Sequence, residues 1–246
     1  MCGLYRQAGL KAEFDYAALD YSRWPFHQSL WQKGAALVVR LLARVRMEGF
    51  EKIPSTGCFL AATNHMHILD VPLYFSMAPR RTICFVSDNW QNTPLLGLFL
   101  KKVGQVIFVT LRKRKNGDHK SNRKALAQGL SVLRSGGVLA LAPEGGLGVG
   151  GLKKGLPGIA YLANRAPAPI LTMVIYGQEN VWQHWKRLRR APVYFRFGPL
   201  IQLPARRMKS DELQDHTDRI MVELARLLPL EYRGTYQDVG QTESSG

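Results

Sequence analysis

The fold is decided by residues 58–73, which read CFLAATNHMHILDVPL. The first five residues, from Cys58 to Ala62, form a short apolar run typical of a buried strand. A polar turn follows, and Val71-Pro72-Leu73 then predicts the start of a helix, because proline is favoured in the first helical turn. The stretch therefore predicts a strand–turn–helix unit with polar side chains gathered at the carboxyl end of the strand.

Two residues of this turn, His65 and Asp70, have the side chains needed for proton transfer. On a continuous helix a separation of five positions would place them on different faces, whereas a turn lets them meet. An aspartate bonded to one imidazole nitrogen fixes the tautomer, so the other nitrogen can accept a proton from a hydroxyl. The pair predicts a general base with its orienting partner. The alternative is that Asp70 only caps the helix and His65 only fills a loop.

A second apolar run, residues 138–142, ends in Pro143-Glu144-Gly145-Gly146. A carboxylate and flexible backbone thus follow a strand, at the end where ligands bind in α/β sheets. The alternative is a glycine-rich turn with a solvated glutamate. The run predicts a second contribution to the same site.

The rest of the chain alternates in the same way, which predicts one α/β domain. Strands are predicted at 58–63, 82–87, 105–110, 138–142, 170–175 and 193–197. Helices are predicted up to about Arg46 and at 71–77, 122–134, 156–164 and 210–228. We divide the chain into an N-terminal helical segment (1–46), the main domain (47–233) and a disordered tail (234–246).

Charge predicts an anionic partner. The 246 residues carry a formal net charge of +16, with an isoelectric point near 10.1. The stretch 186–209 holds eight of the basic residues and no acidic one. Phospholipid headgroups and nucleic acid are the two obvious anionic surfaces. No nucleic-acid motif or stacking platform is visible, so we expect no nucleic-acid partner.

The N-terminal segment favours a membrane surface. One helical face carries apolar residues and the opposite face carries Lys33, Arg40 and Arg44, as in a basic interfacial helix; the apolar positions are Trp31, Ala35, Val38, Leu42 and Val45. An ordinary helix packed on the core is the alternative. Trp182 and Trp185, beside the basic residues 186–190, form a second candidate contact.

Spanning segments and export signals are not expected. No apolar stretch reaches the roughly 20 residues that cross a bilayer. We see no secretory signal, and the three cysteines have no metal-ligand spacing. The sequence predicts a peripheral or monotopic protein at the cytoplasmic face of a membrane.

The order of these blocks resembles the glycerolipid acyltransferase family, whose best-known members are the lysophosphatidate acyltransferases. The matching blocks are Asn64-His65 to Asp70, then Gly104 to Val109 with Arg112, then Pro143-Glu144-Gly145, then Ala168-Pro169-Ile170. The resemblance runs from about Gly49 to Gly198. It implies a single domain with a mixed sheet flanked by helices.

The resemblance also implies an activity and roles for the residues. His65 is the general base and Asp70 its partner in acyl transfer from acyl-CoA or acyl-carrier protein to the hydroxyl of a lysophospholipid. No metal or cofactor is expected, because the acyl thioester is a co-substrate. Substrate binding is assigned to Asn64, Arg112, Glu144, Gly145, Gly146, Lys153, Lys154 and Pro169.

One departure from the family's pattern concerns the acceptor. The third block usually continues Glu-Gly-Thr-Arg, and its arginine is thought to hold the acceptor's phosphate. Here Gly146 and Leu147 follow Gly145, so Arg112, Lys153 and Lys154 are the candidates for that charge. Lysophosphatidate is the expected acceptor, with another lysolipid, or a non-catalytic lipid-binding role, as the alternatives.

Overall fold

The computed structural model of the protein describes residues 15–90, 93, 97, 106–110 and 118–239. Seven strands form one sheet: β1 (Ala43–Glu48), β2 (Phe59–Thr63), β3 (Thr82–Ser87), β4 (Val106–Val109), β5 (Val138–Leu141), β6 (Ile170–Tyr176) and β7 (Ala191–Ile201). The α-helices in the described part of the chain are α1 (Phe26–Leu42), α2 (Asp70–Met77), α3 (Asp118–Arg134), α4 (Gly158–Arg165), α5 (Val181–Lys186) and α6 (Ser210–Leu227). The six predicted strands are confirmed as β2 to β7.

The strand order is β1-β7-β6-β2-β5-β3-β4. Neighbours are parallel except β6 and β7, which run antiparallel, so the sheet is mixed as expected. β2 lies between β5 and β6 and is buried over four of its five residues. The carboxyl ends of β2, β3, β5 and β6 therefore meet at one edge, where the polar turns that follow them come together.

A layer of helices covers each face of the sheet, and alternate side chains of a strand pack against the two layers. On β2, Phe59 and Ala61 pack into a core with α2, whereas Leu60 and Ala62 pack into a second core with α3 and α4. β2 is buried on both faces because helices cover both faces of the sheet. This explains its uninterrupted apolar sequence.

The N-terminal prediction is wrong at its carboxyl end. The helix α1 ends at Leu42, and β1 follows at once, pairing in parallel with β7. In β1, Ala43 and Val45 face inward while Arg44 and Arg46 are exposed, which is the alternation of a strand. The proposed boundary at residue 46 thus falls inside a strand of the main sheet.

The predicted disorder of the C-terminal tail is also wrong for residues 234–239. The Thr235 N–H donates to the Leu152 carbonyl at 2.9 Å, and the side chains of Tyr236 and Val239 pack against a buried cluster under α6. The last seven residues, 240–246, lie outside the described residues. Aromatic packing holds this polar segment on the domain.

Candidate active site

Asn64 fixes the point at which the chain leaves β2. Its side-chain Nδ2 donates to the carbonyl of Ile175 at 2.8 Å, and its Oδ1 accepts the Ile175 N–H at 2.8 Å. The carboxamide thereby continues the hydrogen-bond ladder to β6 by one position. Because Asn64 is fully buried, these bonds hold the start of the turn rigidly.

Asp70, the first residue of α2, closes the turn with its carboxylate. Its Oδ2 accepts the backbone N–H groups of Met66 and His67, each at 2.8 Å, and lies 3.0 Å from His65 Nδ1. Asp70 is 4% exposed, so its charge is balanced by these donors rather than by water. The structure thus brings together the predicted pair, five positions apart.

The geometry assigns the histidine tautomer. Asp70 Oδ2 already accepts two backbone N–H groups, so it is also the acceptor toward His65, and Nδ1 of His65 carries the proton and donates it to Asp70. The Nε2 atom is then unprotonated and available as a base. The ring of His65 is about one-fifth exposed and lines a cavity, so a substrate hydroxyl can reach it.

A further residue, Gln178, holds the other oxygen of Asp70. Its Nε2 donates to Asp70 Oδ1 at 2.5 Å, and Gln178 is fully buried in the turn after β6. The two residues are 108 positions apart, so no local pattern links them. The available signal was the polar group Gln178-Glu179-Asn180, which follows an apolar strand after one glycine.

Glu144 positions the backbone of His65. One carboxylate oxygen accepts the His65 N–H at 3.0 Å, and the other accepts the Lys153 N–H at 2.9 Å. Burial raises the pKa of Glu144, although these two backbone donors act to lower it. By resemblance Glu144 was assigned to the acceptor, but in this structure both of its oxygens are occupied by backbone amides.

The loop after Glu144 wraps around that carboxylate. A Cβ at Gly148 would lie 2.5 Å from Glu144 Oε2, so only glycine fits there. The Gly148 N–H donates to the His65 carbonyl at 2.7 Å, while Gly145, at φ +67°, bonds back to Ala142. The glycine-rich loop thereby packs directly on the histidine turn.

The remaining predicted binding residues differ in their positions. Gly145 and Gly146 line the cavity. Lys153 and Lys154 are exposed, and the Nζ of Lys153 donates to the carbonyl of Leu147 at 2.6 Å, at the rim of the same cavity. Arg112 lies outside the described residues.

Pro169 does not lie near the His65–Asp70 pair, which we call the dyad. Its carbonyl accepts the N–H of Leu60 at 2.9 Å, which places it beside the first residues of β2. His65 follows the opposite end of that strand, on the order of 15 Å away at about 3.3 Å per residue. The expected role of Pro169 at the acyl-donor side therefore has no support in this geometry.

The cavity beside His65 has a volume of about 460 Å³. It extends from the dyad over the carboxyl ends of β2, β3 and β5 and reaches α3 and α4. Most of its walls are apolar, with polar groups concentrated near His65; the apolar wall includes Ile68, Val71, Tyr74, Val86, Trp90, Leu126, Leu141, Ile159 and Leu162. Such a cavity suits a long apolar chain whose reactive end lies at the histidine.

The comparisons with known proteins concern the family and the fold of the chain. A family model described as Acyltransferase matches residues 44–176. A search of curated proteins finds no match. Among solved structures, the chain is similar to the crystal structure of the 1-acyl-sn-glycerophosphate (LPA) acyltransferase PlsC from Thermotoga maritima, with a TM-score of 0.60 and 17% sequence identity, over 81% of this chain and 78% of that one. At that identity the likeness establishes the fold, and the family model covers more than half of the chain. The resemblance to the glycerolipid acyltransferases is therefore confirmed, and the chain belongs to the acyltransferase family.

Proposed function

We propose that the protein transfers a fatty acyl group from a thioester, acyl-CoA or acyl-carrier protein, to the free hydroxyl of lysophosphatidate, giving phosphatidate. The observation that carries this proposal is the His65–Asp70 contact of 3.0 Å at the end of an apolar cavity. This site combines a candidate general base with a cavity that can hold an acyl chain.

In the proposed mechanism His65 Nε2 takes the proton of the glycerol hydroxyl as that oxygen attacks the thioester carbonyl. Asp70 stabilises the imidazolium that forms. When the tetrahedral intermediate collapses, the C–S bond breaks and the thiolate leaves with the proton returned by His65. Each step uses groups of the chain and the two substrates, so the mechanism calls for no metal or cofactor.

The apolar cavity is proposed to hold the acyl chain that is transferred. The polar lining near the dyad is then left for the ester and thioester oxygens. A bound chain would also exclude water from the carbonyl, which favours transfer over hydrolysis.

The acceptor's phosphate is proposed to lie near the rim that the Gly145–Gly148 loop forms. Lys153 is the first candidate among the described residues, since its ammonium is held against Leu147 of that loop. Lys154 is exposed beside it, and Arg112 remains a candidate from the sequence. Because lysine lacks the bidentate fork of arginine, a different lysolipid is the second candidate acceptor.

The proposed place of work is a membrane surface, at its cytoplasmic face, with the protein bound peripherally or monotopically. No helix in the described ranges is long and apolar enough to cross a bilayer. The helix α1 exposes several large apolar side chains to solvent: Phe26, Leu30, Trp31, Leu37, Val38 and Leu41. Together with the net positive charge, this surface favours contact with anionic lipid.

A transfer assay tests the proposal. Purified protein is given labelled acyl-CoA or acyl-carrier protein and a panel of lysolipid acceptors with and without a phosphate monoester. We expect His65→Ala to lower transfer by at least about 100-fold, the usual contribution of a general base, and to remain folded.

His216→Ala, which changes a partly buried histidine of α6, is the matched control and should keep wild-type activity. Near wild-type transfer by folded His65→Ala would refute the mechanism. Transfer to a phosphate-free acceptor in preference to lysophosphatidate would favour the second candidate acceptor.

A further inference from the structure

The turn that follows α5 carries an exposed leucine at its tip. Leu188 is 98% exposed and has a φ of +52°, in the left-handed region that non-glycine residues rarely occupy. Three backbone hydrogen bonds close the turn: Arg187 and Arg189 donate to the His184 carbonyl, and Leu188 donates to the Trp185 carbonyl. The turn therefore holds the Leu188 side chain outward, and this side chain does not pack in the core.

Two cations precede this leucine in the sequence and two follow it. Lys186, Arg187, Arg189 and Arg190 are all exposed, and no ion pair joins any of them to the described residues. The sequence contains no acidic residue from 186 to 209. We call residues 186–190 the basic turn. An exposed leucine is unfavourable in water, and so are four like charges within five residues that make no ion pair with the described residues.

Two tryptophans lie beside the basic turn on α5. Trp182 and Trp185 are about half exposed, and their rings meet edge to face with centroids 5.9 Å apart. Tryptophan is enriched where protein enters the lipid headgroup region, because its ring is apolar and its N–H is polar. Both ends of the segment are anchored, since Val181 and Ala191 are buried.

We propose that the basic turn inserts into an anionic phospholipid bilayer, with Leu188 in the acyl region, the tryptophans at the interface and the four cations on the headgroups. The inference rests on the proposed function only for the choice of a phospholipid surface. Each observed feature then has a partner: hydrocarbon for the leucine and phosphate for the cations.

A bilayer fits this surface better than nucleic acid does. Phosphate backbones attract the same cations, but an aliphatic tip gains nothing from them, and the edge-to-face tryptophans form no parallel stacking platform.

The basic turn also adjoins α1, because Arg190 Nη1 donates to the Arg40 carbonyl at 3.3 Å. Val181 further forms one wall of an apolar groove of about 790 Å³ between α1 and α2.

The same connection links the basic turn to the catalytic pair. Gln178, which bonds to Asp70, lies ten positions before Leu188 in the segment that joins β6 to β7. Insertion of the basic turn would therefore hold the dyad at a fixed depth relative to the headgroups.

Vesicle binding by the full chain tests the inference. Sedimentation is measured with vesicles of phosphatidylcholine alone and of phosphatidylcholine mixed with phosphatidylglycerol, at one salt concentration. Leu188→Asn removes the apolar tip and keeps a residue that tolerates left-handed backbone; we expect about tenfold weaker partition. Arg187→Gln combined with Arg189→Gln should weaken binding to the anionic vesicles about fivefold per charge and leave binding to neutral vesicles unchanged.

Leu230→Asn is the matched control, because Leu230 is a half-exposed leucine on another turn, and it should bind as wild type does. Equal partition of wild type and Leu188→Asn would overturn the inference, as would tighter binding to a DNA duplex than to the anionic vesicles. Acyl transfer in detergent micelles should be unchanged in Leu188→Asn. Vesicle binding that depends on Leu188 without any acyl transfer would refute the proposed function and leave this inference standing.

Discussion

The hydrogen bond from Gln178 to Asp70 provides the sharpest test of how the dyad is held. We consider Gln178→Met, which keeps the length of the side chain and removes its donor. A hydrogen bond to a charged group contributes about 1.5–3 kcal/mol. The variant also removes Gln178 Oε1, a buried acceptor with no hydrogen-bond partner among the described residues, whose burial costs about 1–3 kcal/mol.

These two terms nearly cancel, so we expect the free energy of unfolding to change by no more than about 2 kcal/mol. Each kcal/mol corresponds to roughly 2–4 °C in Tm for a chain of this size, so the shift should stay within about 8 °C. Catalysis has no such compensation, because among the described residues Gln178 is the one that donates to Asp70 Oδ1 and orients the carboxylate from that side. We expect kcat to fall about tenfold, equivalent to roughly 1.4 kcal/mol.

The response of kcat and KM separates positioning from general damage. Gln178 does not line the cavity, so the loss of its bond to Asp70 should lower kcat and leave the apparent KM values of both substrates unchanged. Gln183→Met, which changes an exposed glutamine on α5, is the control and should leave both kcat and KM unchanged. Wild-type kcat in folded Gln178→Met would refute this role of Gln178.

Two further predictions concern the acceptor and the folding of α6. Arg112→Ala should raise the apparent KM for lysophosphatidate roughly 10- to 100-fold, as expected for the loss of a charge-assisted bond to phosphate, and should spare acceptors without a phosphate; equal effects on both acceptor types would remove Arg112 from the phosphate site. The hydrogen bond from Arg206 lowers the pKa of Glu212 to about 2 from 4.5, so its contribution to stability is present above pH 4.5 and is lost as the pH falls toward 2. Glu212→Gln should therefore unfold at lower denaturant concentration than wild type at pH 7, with a difference that shrinks toward pH 3, and a constant difference would contradict this.

The local chemistry of the site could be predicted because it depends on short-range patterns. The apolar run of β2, the polar turn and the proline of α2 lie within sixteen consecutive residues, and they suffice to bring His65 and Asp70 together. The positions of β2 to β7 followed from apolar runs for the same reason, although β7 extends beyond the predicted 193–197 at both ends, from Ala191 to Ile201. The order of the blocks along the chain was then enough to indicate the acyltransferase family.

Predictions failed where local patterns allowed two structures. The apolar spacing that continues from α1 through Val45 matches a helix, but β7 offers an edge with which residues 43–48 pair as a strand. Residues 234–239 look like a polar tail, yet Tyr236 packs against a surface built by distant elements. In each case the choice between the two local structures depends on a distant part of the domain, β7 for residues 43–48 and the cluster under α6 for residues 234–239.

The sequence by itself determined the strand–turn–helix unit, its histidine–aspartate pair and the net positive charge of the chain. The tertiary structure decided which distant groups support that unit: Glu144 holds the backbone of His65, and Gln178 holds Asp70. It also placed Pro169 beside the start of β2, at the opposite end of that strand from His65. The physical reason is that a turn closes through bonds between neighbours in sequence. The supports of the turn come from strands that are adjacent only in the sheet, and strand order is a property of the whole packed domain.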